Sequence, residues 1–416
     1  MNFKSDFLNL LQSRGFIHQC SSFEGLDEKL SSEKVKAYIG FDCTATSLHV
    51  GGLIQILLLK YFQKCGHTPI ALLGGGTTLV GDPTGKDDTR KMLSVEDINT
   101  NMAGIRRVLE KFLSFEGENA AQLVNNAEWL CEFNYLEFLR DFGTKFTINR
   151  MLAFDSVKLR LERENPMTFL EFNYMLLQAV DFYYLNKNYG VSLQMGGSDQ
   201  WGNIINGVEL VRRISGSEAF GLTSPLVTKS DGTKMGKSVN GAVWLDGSMF
   251  SPWDFYQYFR NTDDLDVIKY LKLFTELPLG EIETLSKLQG KDINEAKKIL
   301  AFEITKLCHG LAEAEKCQNT AINTFEKGNV DDNLPTFFVE EEELNAGLPL
   351  INFLVTLGFT KSNGEGRKLI QNSGIKINDT TVSEVSHMLT KNDISKEIIK
   401  ISMGKKKHVL VKVKNA

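Results

Sequence analysis

The sequence predicts an α/β chain: a doubly wound parallel sheet in the first 249 residues, an α-helical segment over 250–328, and a small α+β module at the end. Two observations carry this reading. Three apolar, strand-like runs end in glycines and pass into a helical pattern: VKAYIGFDC (35–43) before TATSLHVGG and LIQILLLKYFQKCG, PIALLGGG (69–76), and VSLQMGGSDQWGNIINGVELVRR (191–213). Repeated units of this kind build parallel sheets whose ligands lie beyond the carboxyl ends of the strands. The second observation is a division of charge. The whole chain carries −5, but residues 348–416 hold 12 Lys/Arg against 5 Asp/Glu, or +7, which leaves −12 on the residues before them. A basic module on an acidic body suits a polyanion, and a lysine-rich solvated face would give the same count.

In chain order, the opening MNFKSDFLNLLQSRGF places Asp6 and Arg14 inside its apolar stretch, as an amphipathic helix does and a secretory signal does not. The apolar run Leu53 to Phe62 is interrupted by Gln55 and Lys60, short of the roughly 18 uncharged residues a membrane span requires. With 42% hydrophobic and 24% charged residues, 35 Gly and 8 Pro, the chain is neither collagen-like, disordered nor a disulfide scaffold. Six cysteines stand at least nine residues apart without a CxxC motif. That spacing suits a reducing cytosol, so a cytoplasmic protein without a membrane segment or a tightly held, protein-ligated metal is expected. Residues 250–328 show helical periodicity, 329–347 with Glu340 to Glu343 read as an acidic linker, and 348–416 as two short helices followed by strands.

The glycine loops do not fit the standard phosphate motifs. Gly236-Lys237-Ser238 would close a Walker A loop only if glycine stood where Asp231 is. Gly85-Lys86 likewise has Val80 and Asp87 at the decisive positions, and no GxGxxG follows a strand, which disfavours a dehydrogenase. In SLHVGG, His49 precedes Gly51 and Gly52 at the mouth of a helix, where absent side chains and the helix N-terminus admit phosphate. Easier helix–sheet packing is the alternative reason for those glycines. KSDGTKMGKS (229–238) interleaves Gly232 and Gly236 with Lys229, Lys234 and Lys237, a cationic loop able to close on a polyphosphate or simply a solvated turn. Asp82-Pro83-Thr84-Gly85-Lys86 with Arg90 adds further cations beside an acid.

The run MTFLEFNYMLLQAVDFYYL (167–185) is apolar on nearly every side and reads as a buried helix. Tyr174, Gln178 and Asp181 fall at i, i+4 and i+7, within roughly 60° of one another around it. A buried carboxylate is costly unless paired, so the stripe faces internal partners or a polar ligand.

Together these segments resemble the bacterial-type tyrosyl-tRNA synthetases of the class I aminoacyl-tRNA synthetases, over nearly the whole chain. YIGFDCTATSLHVGG is similar to the first strand and HIGH motif, GDPTGKDDTR to the phosphate-side loop, NYMLLQAVD and QMGGSDQWGN to the amino-acid and ribose pocket, and KMGKS (234–238) to the KMSKS loop. The resemblance implies a Rossmann-like catalytic domain over 1–249 with a dimerisation insertion at about 130–170 that includes Phe169. It further implies an anticodon-arm domain at 250–328 and, at 348–416, a ribosomal-protein-type RNA-binding fold with Ser362, Glu365 and Arg367 on its second helix. Gly366 there is expected to weaken the helix by roughly 1 kcal/mol relative to alanine and to leave the module locally mobile.

The implied reaction is activation of L-tyrosine by ATP, with Mg2+ accompanying the nucleotide, and transfer to the 3′ end of tRNA-Tyr by a homodimer whose tRNAs each span both subunits. The implied roles put Thr44 and His49 near the γ-phosphate, and Lys86, Arg90, Lys234, Lys237 and Ser238 on closing loops. Tyr38 and Asp181 meet the phenol; Asp82, Tyr174 and Gln178 meet the ammonium. Asn126, Gln194 and Gln200 complete the amino-acid pocket, with Gln200 toward the carboxylate. Gly40, Asp42, Gly51, Gly52, Gly197 and Asp199 surround the adenylate, Asp199 at the ribose. Two positions depart from the family: Gly52 where the HIGH motif usually ends in histidine, and Ile39 where a polar ribose contact can stand, so altered ATP binding with retained function is expected. A tryptophan-specific synthetase is the nearest rival, and a non-catalytic RNA-binding scaffold is a rival of another class.

Overall fold

A computed structural model describes residues 2–83, 92–238, 241–326, 334–395, 397–404 and 407–414, with the backbone alone at 155, 156, 159, 237, 238, 325 and 326. The chain forms two compact units, Met1–Lys237 with Ala242–Phe250 and Thr262–Ala296, and Ser238–Gly241 with Ser251–Asn261 and Lys297–Ala416. The expected range 250–328 is helical, from Pro252–Arg260 through Val267–Phe274, Leu279–Leu285 and Ile293–His309 to Leu311–Ala321. Compactness divides it, with 262–296 in the first unit.

The first unit is built on six strands: β1 (Gln19–Cys20), β2 (Lys36–Asp42), β3 (Thr68–Gly74), β4 (Gln122–Asn125), β5 (Leu193–Gly197) and β6 (Phe220–Ser224), in the order β1-β6-β5-β2-β3-β4. All neighbours are parallel except β1, which runs antiparallel to β6. Every residue of β3 is buried, which is why its sequence is a continuous apolar run with no alternation. The helix Leu53–Lys64 buries Leu53, Ile54, Ile56, Leu57, Leu58, Leu59, Tyr61 and Phe62.

What opens a site in this sheet is the register. β2 pairs with β3 along its full length, from Lys36 opposite Thr68 to Asp42 opposite Gly74. Its pairing with β5 covers only Ala37 opposite Leu193 and Tyr38 opposite Gln194. Past Tyr38 the two strands part, at the place where the strand order reverses and a crevice is topologically required.

The long helix Phe169–Tyr189 crosses this crevice. Thr168 caps it in a reciprocal box with Glu171, and Gly190, at φ 72°, ends it. Its N-terminus is further fixed by a buried ion pair, Arg160 to Glu171 at 3.0 Å.

In the second unit, strands at 380–382, 375–377, 398–403, 407–413 and 336–339 form one sheet in that order. Thr336–Val339 pairs parallel with the last strand, Thr336 opposite Leu410 and Val339 opposite Val413. Leu344, on the helix Glu341–Ala346, is buried in the same apolar core as Leu350, Phe353, Ile370, Ile399 and Val411. The described part of the expected acidic linker is therefore integral to the C-terminal module. Glu340 pairs with Lys414 and Glu341 with Lys391, so the acidic run is matched to the module's own lysines. With its four glutamates counted, residues 334–416 hold 12 basic against 9 acidic side chains, +3 in place of +7.

Gly366 is likewise not simply a weak point. It is buried, and a Cβ there would lie 3.2 Å from Ile351 Cγ1 on the neighbouring helix, so its absence lets the two helices close.

Candidate functional site

The parting of β2 from β5 leaves a cavity of about 460 Å³. Strand ends supply Tyr38, Gly40, Asp42, Gln194 and Gly197; the loops and helix starts after them supply Thr44, His49, Gly51, Gly52, Asp82, Asn126, Asp199, Gln200 and Lys234. Tyr174, Gln178 and Asp181 enter from the long helix. Thus 17 of the residues expected from sequence line one cavity, together with Ile39. Lys86 and Arg90 lie outside the described residues, as do the side chains of Lys237 and Ser238.

At its deep end Asp181 is 1% exposed. Its oxygens accept from Trp129 Nε1 at 2.8 Å and from Asn126 Nδ2 at 2.9 Å. Burial pushes its carboxyl up to about 7 against the opposing effect of those two donors, and the charge of Asp42 adds to the rise. Tyr38 is fully buried, edge-on to Phe182, and its hydroxyl has no hydrogen-bond partner among the described residues. Burial first and the charge of Asp181 second hold that phenol well above its ordinary value.

The network runs on toward the cavity mouth. Asn126 Nδ2 donates to Thr77 Oγ1 at 3.1 Å, and Thr77 donates to Asp42 Oδ1 at 3.2 Å. The Tyr174 hydroxyl reaches both Asp42 oxygens, at 3.2 and 3.4 Å. Asn126 Oδ1 accepts from the Gly76 N–H at 2.8 Å, which ties the chain after β3 to the chain after β4. On the other wall Gln200 Nε2 donates to Asp82 Oδ2 at 2.8 Å. Asp199 is raised by burial and by Asp82, with Lys234 opposing.

The opposite end of the cavity is made largely of backbone. His49 caps the turn Val50–Gly52, its Nδ1 accepting from the Gly51 N–H at 3.0 Å. The segment is held from behind by Val50 N–H to Val243 O at 2.8 Å and Leu245 N–H to Leu48 O at 2.9 Å. Gly236 has φ 105°, a conformation that favours glycine, and a Cβ there would sit 3.0 Å from both Gly51 N and His49 Nδ1. The two glycine motifs, nearly 190 residues apart in sequence, thus touch because neither carries a side chain at the contact.

Four residues in this site went unread in the sequence. Thr77 links Asn126 to Asp42, Trp129 donates to Asp181, Gln55 lines the cavity and donates to Ser224 Oγ at 3.0 Å, and Asn203 holds two glutamines. Partial signals existed: Thr77 follows three glycines at a helix start, and Trp129 lies three residues after Asn126.

The family model for tRNA synthetases class I (W and Y) matches residues 30–326, and that for the tyrosine–tRNA ligase SYY-like C-terminal domain matches 325–411. The chain is 56% identical to the tyrosine–tRNA ligase of Bartonella henselae over 412 residues, 99% of each chain. It is 55% identical to that of Caulobacter sp. strain K31, over 99% of this chain and 98% of the other. Among solved structures, a C-terminally truncated mitochondrial tyrosyl-tRNA synthetase of Aspergillus nidulans is similar with a TM-score of 0.69 and 35% identity, over 77% of this chain and 94% of that one.

Proposed function

The chain belongs to the class I tRNA synthetases of the tryptophan and tyrosine group, and from that membership we infer its activity. It activates L-tyrosine with ATP to give tyrosyl-adenylate and pyrophosphate and transfers the tyrosine to the 3′ end of tRNA-Tyr, as its full-length likeness to tyrosine–tRNA ligases supports. The observation that carries the choice of amino acid is the deep end of the cavity. A phenol hydroxyl both donates and accepts, whereas an indole N–H only donates. An acceptor carboxylate, Asp181, whose charge is felt by the Tyr38 hydroxyl, itself without a hydrogen-bond partner among the described residues, suits the phenol.

In this reading the tyrosine carboxylate attacks the α-phosphorus of ATP, the bond to the pyrophosphate oxygen breaks, and the electron pair leaves with pyrophosphate. The nucleophile is already ionised, so alignment and charge stabilisation do the work. Asp82, Tyr174 and Gln178 hold the ammonium. Because the Tyr174 hydroxyl donates to Asp42, its oxygen keeps lone pairs for that ammonium. Gln200 faces the carboxylate, and Asn126 and Gln194 complete the wall.

Gly40, Asp42 and Gly197 surround the adenylate with Asp199 at the ribose, while Gly51 and Gly52 let the nucleotide approach the backbone. Thr44 and His49 meet the γ-phosphate. Lys86, Arg90, Lys234, Lys237 and Ser238 close on the departing pyrophosphate, and Mg2+ enters with ATP as part of the substrate.

We extend the reading to assembly. The 130–170 stretch exposes Tyr135, Leu136, Ile148 and Leu161, with Phe169 at its end; Leu136 is 72% and Phe169 68% exposed. An apolar face of this kind supports a homodimer interface. No helix among the described residues is long and apolar enough to cross a membrane, and the likeness to bacterial synthetases supports work in the cytoplasm. The helical segment takes the anticodon arm and the C-terminal module grips RNA.

A truncation tests this division of labour. Since 336–346 belong to the C-terminal module, the cut goes after residue 326. The shortened chain is expected to retain tyrosine-dependent ATP–pyrophosphate exchange and to lose tRNA charging. Its tRNA affinity should depend less on salt, by about 0.7 to 0.9 in the logarithmic slope for each phosphate that the removed module would have neutralised. Normal charging at moderate salt would refute the role given to the module; absence of exchange in the full chain would refute the activity.

A further inference from the structure

Asn203 lies in the first turn of the helix Trp201–Ser215 and is 6% exposed. Its Nδ2 donates to Gln178 Oε1 at 3.0 Å and to Gln200 Oε1 at 3.2 Å. Both protons of one amide are therefore spent on two glutamines that line the substrate cavity. The direction of these bonds is fixed from outside. Gln200 reaches Asp82 Oδ2 at 2.8 Å, and a carboxylate only accepts, so Gln200 must turn its NH2 to Asp82 and its carbonyl to Asn203. Asn203 must then offer N–H, and the same nitrogen obliges Gln178 to turn its carbonyl as well.

We infer that Asn203 is a positioning residue that sets the hydrogen-bond polarity of the substrate's amino end. It passes the polarity that Asp82 imposes on Gln200 to Gln178, whose carbonyl oxygen it holds as a fixed acceptor with a lone pair to spare, and its second N–H braces Gln200 in the pose that serves Asp82. Without it, Gln200 keeps its bond to Asp82, but Gln178 loses the donor that fixes its carbonyl and is free to rotate its amide by half a turn, which would place an N–H donor against a cation. This inference rests on the reading that Asp82, Tyr174 and Gln178 receive the ammonium of tyrosine.

The decisive variant is Asn203→Asp, which keeps the side-chain size and replaces the two donors by acceptors. Gln178 then turns its NH2 to residue 203 and presents a donor where the ammonium needs an acceptor, while Gln200 faces carboxylates at both Asp82 and residue 203 with one NH2 and can satisfy only one of them in its present pose. The dissociation constants of tyrosine and of 3-(4-hydroxyphenyl)propionate, which lacks only the amino group, are measured by equilibrium binding on the full chain. Tyrosine affinity is expected to fall about tenfold or more, in line with misplacing one buried hydrogen-bonding group. The amine-free acid is expected to change by less than about threefold, because it makes no bond at that end. A merely structural defect would weaken both ligands alike, and that result overturns the proposal.

Asn203→Ala, which removes the donors without reversing them, is measured beside it and decides the matter if the aspartate variant does not fold. It should lose part of the same preference, and an unchanged preference overturns the proposal. Asp82→Asn separates the two levels of inference. If it too leaves the preference for tyrosine over the amine-free acid intact, the amino end has been misplaced; if it abolishes the preference while Asn203 variants do not, only the role of Asn203 falls.

Discussion

The two ends of the cavity are built on opposite physical principles. The end we propose for the amino acid is a chain of side chains, Trp129 and Asn126 on Asp181, then Thr77 and Tyr174 on Asp42, each bond between 2.8 and 3.4 Å. Its members come from separate elements, and most are buried, so their orientation is fixed before any ligand arrives. The end we propose for the nucleotide is mostly backbone: glycines 51, 52 and 236 around His49, with lysines on a loop that is largely exposed. Buried, satisfied polar groups discriminate, because a wrong ligand leaves them unpaired in a low-dielectric site. Glycine and flexible cations do not discriminate well, but they can follow charge as it moves to a leaving group. On the proposed reading, selection and rate enhancement therefore belong to different ends.

The sharpest way to break this contrast is at the loop. Lys237→Ala is expected to slow adenylate formation by about 10²- to 10³-fold, the usual scale for removing one group that stabilises transition-state charge, with tyrosine affinity within about twofold of the parent. Stopped-flow rates beside equilibrium binding read both quantities. Equal reductions in the two would show that the loop serves recognition as well.

Next in size comes Asp181→Ala. It strands the Trp129 and Asn126 donors and removes the phenol acceptor. Preference for tyrosine over phenylalanine in competitive exchange should drop about 10- to 100-fold, from roughly 1–3 kcal/mol of broken or orphaned hydrogen bonding. Tyr38→Phe should erode the preference too, yet leave thermal stability unharmed, because the hydroxyl it deletes is buried without a hydrogen-bond partner among the described residues. A lowered melting temperature for Tyr38→Phe would mean that the hydroxyl is satisfied in the free protein.

A matched pair of glycine variants compares the ends directly. In Gly74→Ala the new Cβ would lie 2.6 Å from Thr77 Oγ1 and 2.7 Å from Asp42 Oδ1, inside the side-chain network. In Gly51→Ala it would lie 2.7 Å from His49 Cε1 and 3.1 Å from Met235 O, at the nucleotide end. Overpacking of this kind costs about 1–3 kcal/mol. The first variant should weaken tyrosine binding about tenfold and the second should raise the KM for ATP by a similar factor, each with little effect on the other ligand. Crossed effects would show that the two ends move together, Asp42 being the obvious link.

The smallest effect is in pH. Asp181 is raised from 3.8 to about 7, so the folded state holds its proton more tightly than the unfolded chain does. Its contribution to stability is complete below pH about 4 and disappears as pH rises through about 7. The ionised carboxylate accepts from the phenol more strongly than the neutral carboxyl does, so preference for tyrosine over phenylalanine should fall from pH 8 to pH 6, by less than the roughly tenfold change in the ionised fraction. Asp181→Asn should flatten that profile, and a profile unchanged by the substitution would assign the titration to another group.

Much of the site was legible because it obeys local periodicities. Helical spacing alone put Tyr174, Gln178 and Asp181 on one face, and the strand–glycine–helix grammar located the loops after β2, β3 and β5. Partner choice was not legible. The three stripe residues, adjacent on one helix, bond to Asp42, Asn203 and Asn126 respectively, and no spacing rule reports that. The acidic stretch shows the same limit in the fold. Composition marks Glu340 to Glu343 as solvated, but the strand before them pairs with residues more than 70 positions later, and Glu340 and Glu341 meet lysines of their own module.

The sequence by itself therefore determined the strand–glycine–helix units around β2, β3 and β5, the long apolar helix with its polar stripe, and which residue types gather at those strand ends, since these follow from side-chain period and backbone preference within a few residues. Only the tertiary structure decided where β2 leaves β5, which donor holds which carboxylate, and where the C-terminal module begins. Those are outcomes of pairing between distant segments, and each depends on several groups at once: a buried hydrogen bond exists only when both partners are brought to one place and no water can substitute.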